Sequence, residues 1–382
     1  MVKCGIDRIG EYAHLFLGKR LGMVTSVSGV TSDGRPSYLA FHQQFPLSCI
    51  FSPEHGLHAT FGNGEDVTEE PTEPQTGAAL VSLFGNWTAK SIPEHWLSQL
   101  DAVVYDIQDL GTRFYTFITT MIRVLEDCAA ADRELIILDR PAVLGGNILE
   151  GCLLEARYQS FIGPYCLPIR YGMTVGELAR MVNGERKLNC RLHVVPCEGW
   201  QRDQMFPDYG HRWVSPSGAI SDFETALLYP GMCLFEGTNL SEGRGTGRAF
   251  RLVGAPFIDG QRLCREMTAL KLPGVAFEAA AFCPASSKFK GETCGGVSIR
   301  ITDADAFRTV RTGVSLLYKI LELYPGMVEF PPSHWSPEPH IRFLAGSDSL
   351  DNTPPPLHQL LECWERDCEA FRERKIKYHI YP

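Results

Sequence analysis

Residues 102–138 read AVVYDIQDLGTRFYTFITTMIRVLEDCAAADRELIIL and follow the pattern of a strand, a helix and a second strand. The apolar runs Ala102–Ile107 and Leu135–Leu138 have the length of buried strands. Between them, residues 114–131 have the length of a helix and carry apolar side chains at helical spacing. Similar apolar runs occur earlier in the chain, at 21–26, 47–51 and 80–83. Strands that alternate with helices predict an α/β fold with a parallel sheet covered on both faces.

The pattern changes after about residue 255. Residues 274–282 and 296–301 predict strands, and residues 303–324 predict one long amphipathic helix. A chain of 382 residues is long enough for about two domains. We therefore predict an α/β domain over residues 1–255 and a smaller α+β domain over residues 256–382.

Charge and apolar patterning exclude several classes of partner. The net charge is −9 and no cluster of Lys and Arg occurs, which argues against nucleic acid and anionic membranes as partners. No apolar run is long enough to span a membrane, and charged residues interrupt the N-terminal stretch, so we predict a cytoplasmic protein. The 13 cysteines include no CxxC pair and predict reduced, buried thiols. The sequence does not indicate an oligomeric state.

Polar side chains follow the predicted strands at the points where each strand ends. Glu54 and His55 come after the run at 47–51, and Asp106 and Asp109 come at the end of the run at 102–107. Ligand sites of parallel sheets lie beyond the carboxyl ends of the strands. These acids are therefore candidate catalytic groups. Nearby residues that suit substrate binding are His55, Arg113, Tyr115 and Arg140.

Two later segments add further candidates. Arg170 lies in a strand-to-turn stretch, and residues 231–247 are rich in glycine, which lets a backbone approach a ligand closely. In the glycine-rich segment, Glu242 is a further candidate catalytic group. The candidates for substrate binding in these two segments are Arg170, Glu236, Asn239 and Arg244. Its glycines do not match GxGxxG, and no GxxxxGK(S/T) occurs, so a nucleotide-phosphate loop is disfavoured and no cofactor is predicted.

Several kinds of chemistry fit these residues. Paired carboxylates near arginines and aromatic rings are what glycoside hydrolysis needs, because one acid protonates the leaving oxygen and another acts as base, nucleophile or charge stabiliser. Acids with arginines also suit phosphate or amino-acid chemistry, so the residues alone leave these classes open. No GxSxG elbow indicates a serine hydrolase. Glu54, His55 and His58 do not match HExxH, so we predict no metal site, and a metal-dependent hydrolase is the weaker alternative.

Five segments in order along nearly the whole chain resemble those of the NamZ family of exo-β-N-acetylmuramidases, which are glycoside hydrolases. The segments are SPEHG at 52–56, YDIQDLGTRFYT at 105–116, LDRP at 138–141, GMTVGELA at 172–179 and FEGTNLSEGRGT at 235–246. The resemblance implies removal of β-linked N-acetylmuramic acid from the non-reducing ends of peptidoglycan fragments. It also implies a Rossmann-like N-terminal domain, a smaller C-terminal domain and a cleft between them that holds the site.

The resemblance also implies roles for individual residues. The proposed catalytic glutamate of the family lies in its PEHG motif, which makes Glu54 the general acid here. The lactyl carboxylate of muramic acid gives the arginines a partner, and Arg244 is the first choice for that contact. The second carboxylate stays open among Glu242, Glu236, Asp106 and Asp109, or the acetamido group of the substrate replaces it. Retention or inversion at the sugar carbon depends on the carboxylate separation and stays open as well.

The chain departs from the family pattern in places that line the expected site. The family usually has glycine before PEHG and an arginine soon after it, where this chain has Ser52 and then His58-Ala59. The family motifs SPN and DRPNP correspond here to residues 215–217 (SPS) and 139–143 (DRPAV). These changes motivate an alternative: a catalytically inactive or divergent relative that binds amino sugars or muropeptides.

Overall fold

The computed structural model describes residues 1–351 and 354–382, and these fall into two compact units. The first unit comprises Met1–Ile148, Tyr171–Gly218 and Glu373–Pro382, and the second comprises Leu149–Arg170 and Ala219–Arg372. The two units therefore alternate along the chain. The predicted domain boundary at residue 255 stays a prediction.

The first unit is built on a parallel sheet. In the described part of the chain this sheet has six strands: β1 Leu21–Thr25, β2 Leu47–Ser52, β3 Ala79–Ser82, β4 Ala102–Asp106, β5 Glu134–Leu138 and β6 Arg191–Val195. Their spatial order is β3-β2-β1-β4-β5-β6, and every neighbouring pair is parallel. This is the order of the Rossmann fold, whose ligand crevice lies where the order reverses, between β1 and β4. The predicted α/β class is confirmed.

Burial explains which strands the sequence reveals. Strands β1 and β4 are buried at every position, as expected for a parallel sheet covered on both faces. Strand β6 is buried only at Val195, and its sequence RLHVV gives no continuous apolar run. For that reason the apolar pattern predicted β1 to β5 and missed β6.

The helices of the first unit connect these strands. They are α1 Ser37–His42, α2 Glu94–Leu97, α3 Phe117–Ala130 and α4 Val175–Glu185, with 3-10 turns at Gly5–Arg8, Ala13–Leu15 and Phe206–Tyr209 and a two-stranded ribbon of Phe84–Gly85 and Thr88–Ala89. Helix α4 begins with a capping box, in which the Thr174 hydroxyl accepts from the Glu177 N–H and the Glu177 carboxylate accepts from the Thr174 N–H. The cap fixes where α4 starts relative to β5, because the Thr174 hydroxyl also donates to Asp139 at 2.7 Å.

The second unit has the α+β character that was predicted for the later part of the chain. Its antiparallel sheet contains β7 Leu252–Ala255, β8 Val275–Phe282 and β9 Cys294–Ile301 in the order β8-β9-β7. Its helices are α5 Phe223–Met232, α6 Gly260–Ala269, α7 Thr309–Leu323, α8 His340–Ala345 and most of α9 Leu357–Ile376, with 3-10 turns at Ala156–Tyr158 and Cys233–Gly237 and a ribbon of Pro332–Ser333 and Ser336–Pro339. None of the helices in the described chain is both long and apolar enough to cross a membrane.

Helix α7 begins six residues later than its sequence pattern predicts. Asp303, the first residue of the predicted helix, lies outside α7, and its carboxylate accepts from the N–H groups of Asp305 and Ala306 in a local turn. The carboxylate of Glu150 receives the first N–H groups of α7, from Thr309 at 3.2 Å and Val310 at 3.0 Å. A cap supplied from 159 residues away leaves no local signal in the sequence.

The C-terminal residues complete the first unit. Lys375 donates to the carbonyl oxygens of Gly146 and Gly172, each at 2.6 Å, and Tyr381 donates to Asp139 at 2.5 Å. Buried donors of this kind are costly to leave unpaired. The last residues therefore fix the loops that follow β5 and precede α4.

Truncation of the buried face of α3 is expected to destabilise the protein. Met121 is fully buried on that face, and Met121→Ala should lower the free energy of unfolding by about 2–5 kcal/mol because it leaves a cavity. Arg123 lies on the exposed side of the same helix, and Arg123→Ala should change the free energy of unfolding by less than about 0.5 kcal/mol. Urea unfolding followed by circular dichroism measures both, and equal losses would contradict the burial of this face.

Candidate active site

Glu54 lies just beyond the carboxyl end of β2 and is held by two hydrogen bonds. The Gly64 N–H donates to its Oε1 at 3.0 Å, and the Thr116 hydroxyl donates to its Oε2 at 2.5 Å. Thr116 is the residue before α3, and its side chain makes no capping bond to the helix. A residue type that usually caps a helix therefore donates to Glu54 here. Each carboxylate oxygen has one donor, although only 3% of Glu54 is exposed.

The turn that carries Glu54 has an unusual backbone. His55 has φ of 74° and Gly56 has φ of 78°, so two successive residues are in the left-handed region. That region is uncommon for residues other than glycine and is found where the surrounding structure enforces it, often at functional sites. The His55 ring Nδ1 lies 3.0 Å from the Phe61 carbonyl oxygen, a hydrogen bond within the same loop.

The donor Gly64 is fixed by an aromatic ring. Its φ is 72°, and a Cβ atom at this position would lie only 2.1–2.4 Å from ring atoms of Trp87. Both the conformation and the space therefore require glycine. The Trp87 ring packs directly on Gly64, so the peptide that donates to Glu54 has little room to move.

Asp109 follows β4 and is the second acid with a distinctive environment. Its Oδ2 accepts from the Gly111 N–H at 2.6 Å and from the Tyr171 hydroxyl. No hydrogen-bond partner of its Oδ1 is found among the described residues. Burial raises the pKa of Asp109 to about 6, although the bonds from Tyr171 and Gly111 oppose that rise. A carboxyl group that titrates near pH 6 suits acid–base chemistry.

Asp106 and Arg140 are brought together as an ion pair. Arg140 donates through Nε and Nη2 to the two Asp106 oxygens at 2.6 and 2.8 Å, and Nη2 also donates to the Val30 carbonyl at 2.8 Å. Burial opposes the charge of Arg140, but Asp106 outweighs burial and raises the pKa of the guanidinium. A buried two-point pair of this kind is costly to break. The catalytic role of Asp106 and the substrate-binding role of Arg140 stay predictions.

Arg113 and Tyr115 lie in the segment that leads from Asp109 into α3. Arg113 is fully buried, and Tyr115 is 5% exposed. The Tyr115 ring meets the Phe117 ring edge to face, with centroids 5.0 Å apart. The side chains therefore contribute to packing beside Thr116, and their predicted contacts with substrate stay predictions.

Three of the candidates in the second unit form a charged cluster. Arg244 contacts one oxygen of Glu236 through Nε at 2.8 Å and Nη2 at 2.7 Å, and its Nε lies 3.7 Å from Glu242 Oε1. Lys288, which the sequence did not single out, contacts Glu242 Oε2 at 3.0 Å. Burial tends to raise the pKa of Glu236, but Arg244 and Lys288 hold that pKa below its ordinary value. Two carboxylates thus balance two cations.

The two remaining candidates have partners within the second unit. The Asn239 side chain donates to the Met327 carbonyl at 3.0 Å and accepts from the Glu329 N–H at 3.0 Å, so it holds a neighbouring loop. Arg170 is fully buried, with Nη1 3.5 Å from Oε2 of Glu150. Burial lowers the pKa of Arg170 to about 10, against the opposing effect of Glu150. Their substrate-binding roles stay predictions.

The structure thus divides the candidate residues between the two units. The first unit contains Glu54, His55, Asp106, Asp109, Arg113, Tyr115 and Arg140, and the second contains Arg170, Glu236, Asn239, Glu242 and Arg244. Gly64, Glu150 and Lys288 contact these candidates, although the sequence did not single them out, and Glu69 contacts Leu57 in the turn that carries Glu54. Thr116 lies within a quoted motif, which is the signal that could have identified it. Among the described residues no cluster of three or more metal-ligating side chains includes His55 and His58.

The acidity of Asp109 predicts a pH dependence of stability. Its pKa rises from the ordinary 3.8 to about 6 on folding, so the folded state binds more protons between those values and stability falls as pH rises from about 4 to about 6. The loss contributed by Asp109 is about 3 kcal/mol, and Asp109→Asn should remove it because an amide does not ionise. The measurement is the free energy of unfolding in urea at pH 4, 5, 6 and 7.

The control for this measurement is Asp203→Asn, since Asp203 is exposed. The control should keep the pH dependence of the wild type. A profile for Asp109→Asn that is parallel to the wild type over the whole range would contradict the raised pKa.

Two family models match most of the chain. The family model described as "Exo-beta-N-acetylmuramidase NamZ, N-terminal" matches residues 21–224, and the one described as "Exo-beta-N-acetylmuramidase NamZ, C-terminal" matches residues 227–381. The chain is 38% identical over 387 aligned residues to the peptidoglycan beta-N-acetylmuramidase NamZ of Bacillus subtilis (strain 168), covering 100% of this chain and 91% of that protein.

Two crystal structures of DUF1343 family proteins from Bacteroides fragilis NCTC 9343 are also similar to this chain. One has a TM-score of 0.90 and 29% identity, and the other a TM-score of 0.78 and 27% identity. Each comparison covers 100% of this chain and 99% of the crystallised chain. With both family models matched over most of its length, the chain belongs to the exo-β-N-acetylmuramidase NamZ family.

Proposed function

We propose that this protein is an exo-acting glycoside hydrolase that releases β-linked N-acetylmuramic acid from the non-reducing ends of peptidoglycan fragments. The family membership and the name of the Bacillus subtilis relative support this substrate class. The observation that carries the proposal is the placement of Glu54. It lies at the carboxyl edge of a parallel sheet, on a turn with two left-handed residues, and each of its oxygens meets one donor.

Glu54 acts as the general acid. Its carboxyl proton passes to the glycosidic oxygen as the bond between that oxygen and the anomeric carbon breaks, and water then supplies the hydroxyl of the released sugar. The hydrogen bonds from Gly64 and Thr116 orient the carboxyl group. Orientation matters because proton transfer requires hydrogen-bond distance between the acid and the leaving oxygen.

Asp109 is the preferred second carboxylate in the first unit. Both oxygens of Asp106 are occupied by Arg140, whereas Oδ1 of Asp109 has no hydrogen-bond partner among the described residues. Because that oxygen is buried, Asp109 is proposed to stabilise the positive charge that develops on the sugar ring and not to act on water. The acetamido group of the substrate is the alternative to Asp109 in this role.

Arg244 is the arginine that binds the lactyl carboxylate of the sugar. Arg113 and Arg170 are fully buried, Arg140 is 3% exposed, and the Arg244 side chain is 27% exposed. Of these four arginines, Arg244 is the one that a solvent-borne anion reaches most readily. Its planar guanidinium suits two-point recognition of a carboxylate.

A cytoplasmic location of the protein stays a prediction, and fractionation of cells that express the full chain tests it.

Replacement of the general acid is expected to abolish turnover without loss of the fold. Glu54→Gln keeps an oxygen for the Gly64 N–H but has no proton to donate, so kcat should fall by at least ~100-fold. The loss should be larger for a disaccharide, whose leaving sugar needs the proton, than for a nitrophenyl β-N-acetylmuramide. Release of free muramic acid and of nitrophenol measures the two rates.

The matched control is Glu70→Gln, an exposed glutamate in the same region, which should retain the wild-type rates. Unimpaired turnover by Glu54→Gln would contradict the role of Glu54. Calorimetric binding of muropeptides by the wild type with no release of muramic acid would favour a catalytically inactive binding protein instead.

A further inference from the structure

The carboxylate of Glu69 closes the turn that carries Glu54. The Ser52 hydroxyl donates to Glu69 Oε2, and the Leu57 N–H donates to Glu69 Oε1 at 2.6 Å. Ser52 is the last residue of β2, and Leu57 follows Gly56. One side chain therefore holds both ends of the six-residue segment 52–57, and Glu54 lies inside that segment.

The middle of the turn also contacts Glu69. A Cβ atom on Gly56 would lie 2.9 Å from Glu69 Oε1, so the carboxylate lies directly against the Gly56 backbone. The adjacent His55 has φ of 74°. Such a conformation in a residue other than glycine persists when its surroundings hold it. The two bonds to Glu69 are contacts that span this strained part of the chain.

The contacts of Glu69 are contacts within the turn. Both of its oxygens accept hydrogen bonds from residues that flank Glu54, Ser52 on one side and Leu57 on the other. Ser52 is completely buried, and Glu69 is half-buried. The Ser52 hydroxyl has Glu69 as its partner. The pair thus connects the end of β2 to the loop after Glu54.

We propose that Glu69, together with Ser52, is a positioning residue that holds Glu54 in register with the leaving oxygen of the substrate. This inference rests on the proposed function, since it assigns Glu69 to the same reaction. Catalytic groups must be held within a fraction of an ångström of the productive geometry by the groups around them. Loss of Glu69 therefore leaves the acid present but misplaced, which lowers kcat more than it raises KM.

The first test compares Glu69→Ala with Glu69→Gln. The alanine variant loses both bonds and should lower kcat for a muramyl disaccharide by about 10- to 100-fold. The glutamine variant should stay within about 3-fold of the wild type, because its amide oxygen accepts from the Leu57 N–H and its NH₂ group donates to the Ser52 oxygen. Equal losses in the two variants would overturn the proposal, since they would mean that the hydrogen bonds which glutamine preserves do not hold the acid in place.

A second readout distinguishes positioning from a general loss of structure. A misplaced acid should slow hydrolysis of the disaccharide at least ~5-fold more than hydrolysis of the nitrophenyl β-N-acetylmuramide. The leaving sugar of the disaccharide needs protonation, whereas the nitrophenol leaving group needs little. A merely structural defect would slow both substrates by the same factor and would overturn the proposal. Glu70→Ala, at the exposed neighbouring glutamate, is the matched control and should leave both rates unchanged.

Ser52→Ala keeps the experiment decisive if Glu69→Ala fails to fold. It removes one bond and should lower kcat for the disaccharide by about 3- to 10-fold with the same dependence on the leaving group. Addition of Ser52→Ala to Glu69→Ala should not lower kcat any further, because the hydrogen bond that the two residues share is already lost. If the fold-losses in kcat of the two single variants multiply in the double variant, the two residues act independently and the proposed pair is wrong. A wild type that releases no muramic acid would instead contradict the proposed function, so the two failures are distinguishable.

Discussion

A carboxylate that leaves water must receive hydrogen bonds or a counter-charge, and the sheet edge of the first unit is arranged around that requirement. Four acids follow the strands at this edge, and the partners of each decide its role. The acids and their partners are Asp106 with the Arg140 side chain, Asp139 with the Arg140 N–H, Thr174, Gly176 and Tyr381, Asp109 with Gly111 and Tyr171, and Glu54 with Gly64 and Thr116. The sheet thus delivers similar groups to one place, and their environments make them different.

Asp139 shows how such an acid serves the fold. It accepts from the Thr174 hydroxyl, the Gly176 N–H and the Tyr381 hydroxyl, which belong to the start of α4 and to the C-terminal segment. Burial raises its pKa to about 6 in spite of these bonds. Asp109 has the same acidity, but its Oδ1 lacks a hydrogen-bond partner among the described residues. Acidity alone therefore does not separate a structural acid from a chemical one.

The sequence predicted most of the buried strands and the strand ends that carry candidate catalytic residues, because both leave local patterns. Buried strands such as β4 are continuous apolar runs, and Glu54 follows one of them. It did not predict the partners that come from distant parts of the chain. Glu150 caps α7 across 159 residues, and Glu69 holds the turn of Glu54 from a loop without a regular pattern. These contacts arise from packing, which a local pattern does not record.

In the charged cluster of the second unit, Lys288 and Arg244 differ in how many of their donors are used within the protein. Lys288 directs its ammonium group at three acceptors, the carbonyl oxygens of Phe235 and Leu240 at 2.7 and 2.9 Å and Glu242 at 3.0 Å. An ammonium group has three donors, so these acceptors account for all of them. Arg244 has five donors in a rigid fork, and two of its nitrogens share one oxygen of Glu236. Lys288 therefore maintains the cluster, and the donors that Arg244 has beyond its contact with Glu236 are the ones suited to a carboxylate on the substrate.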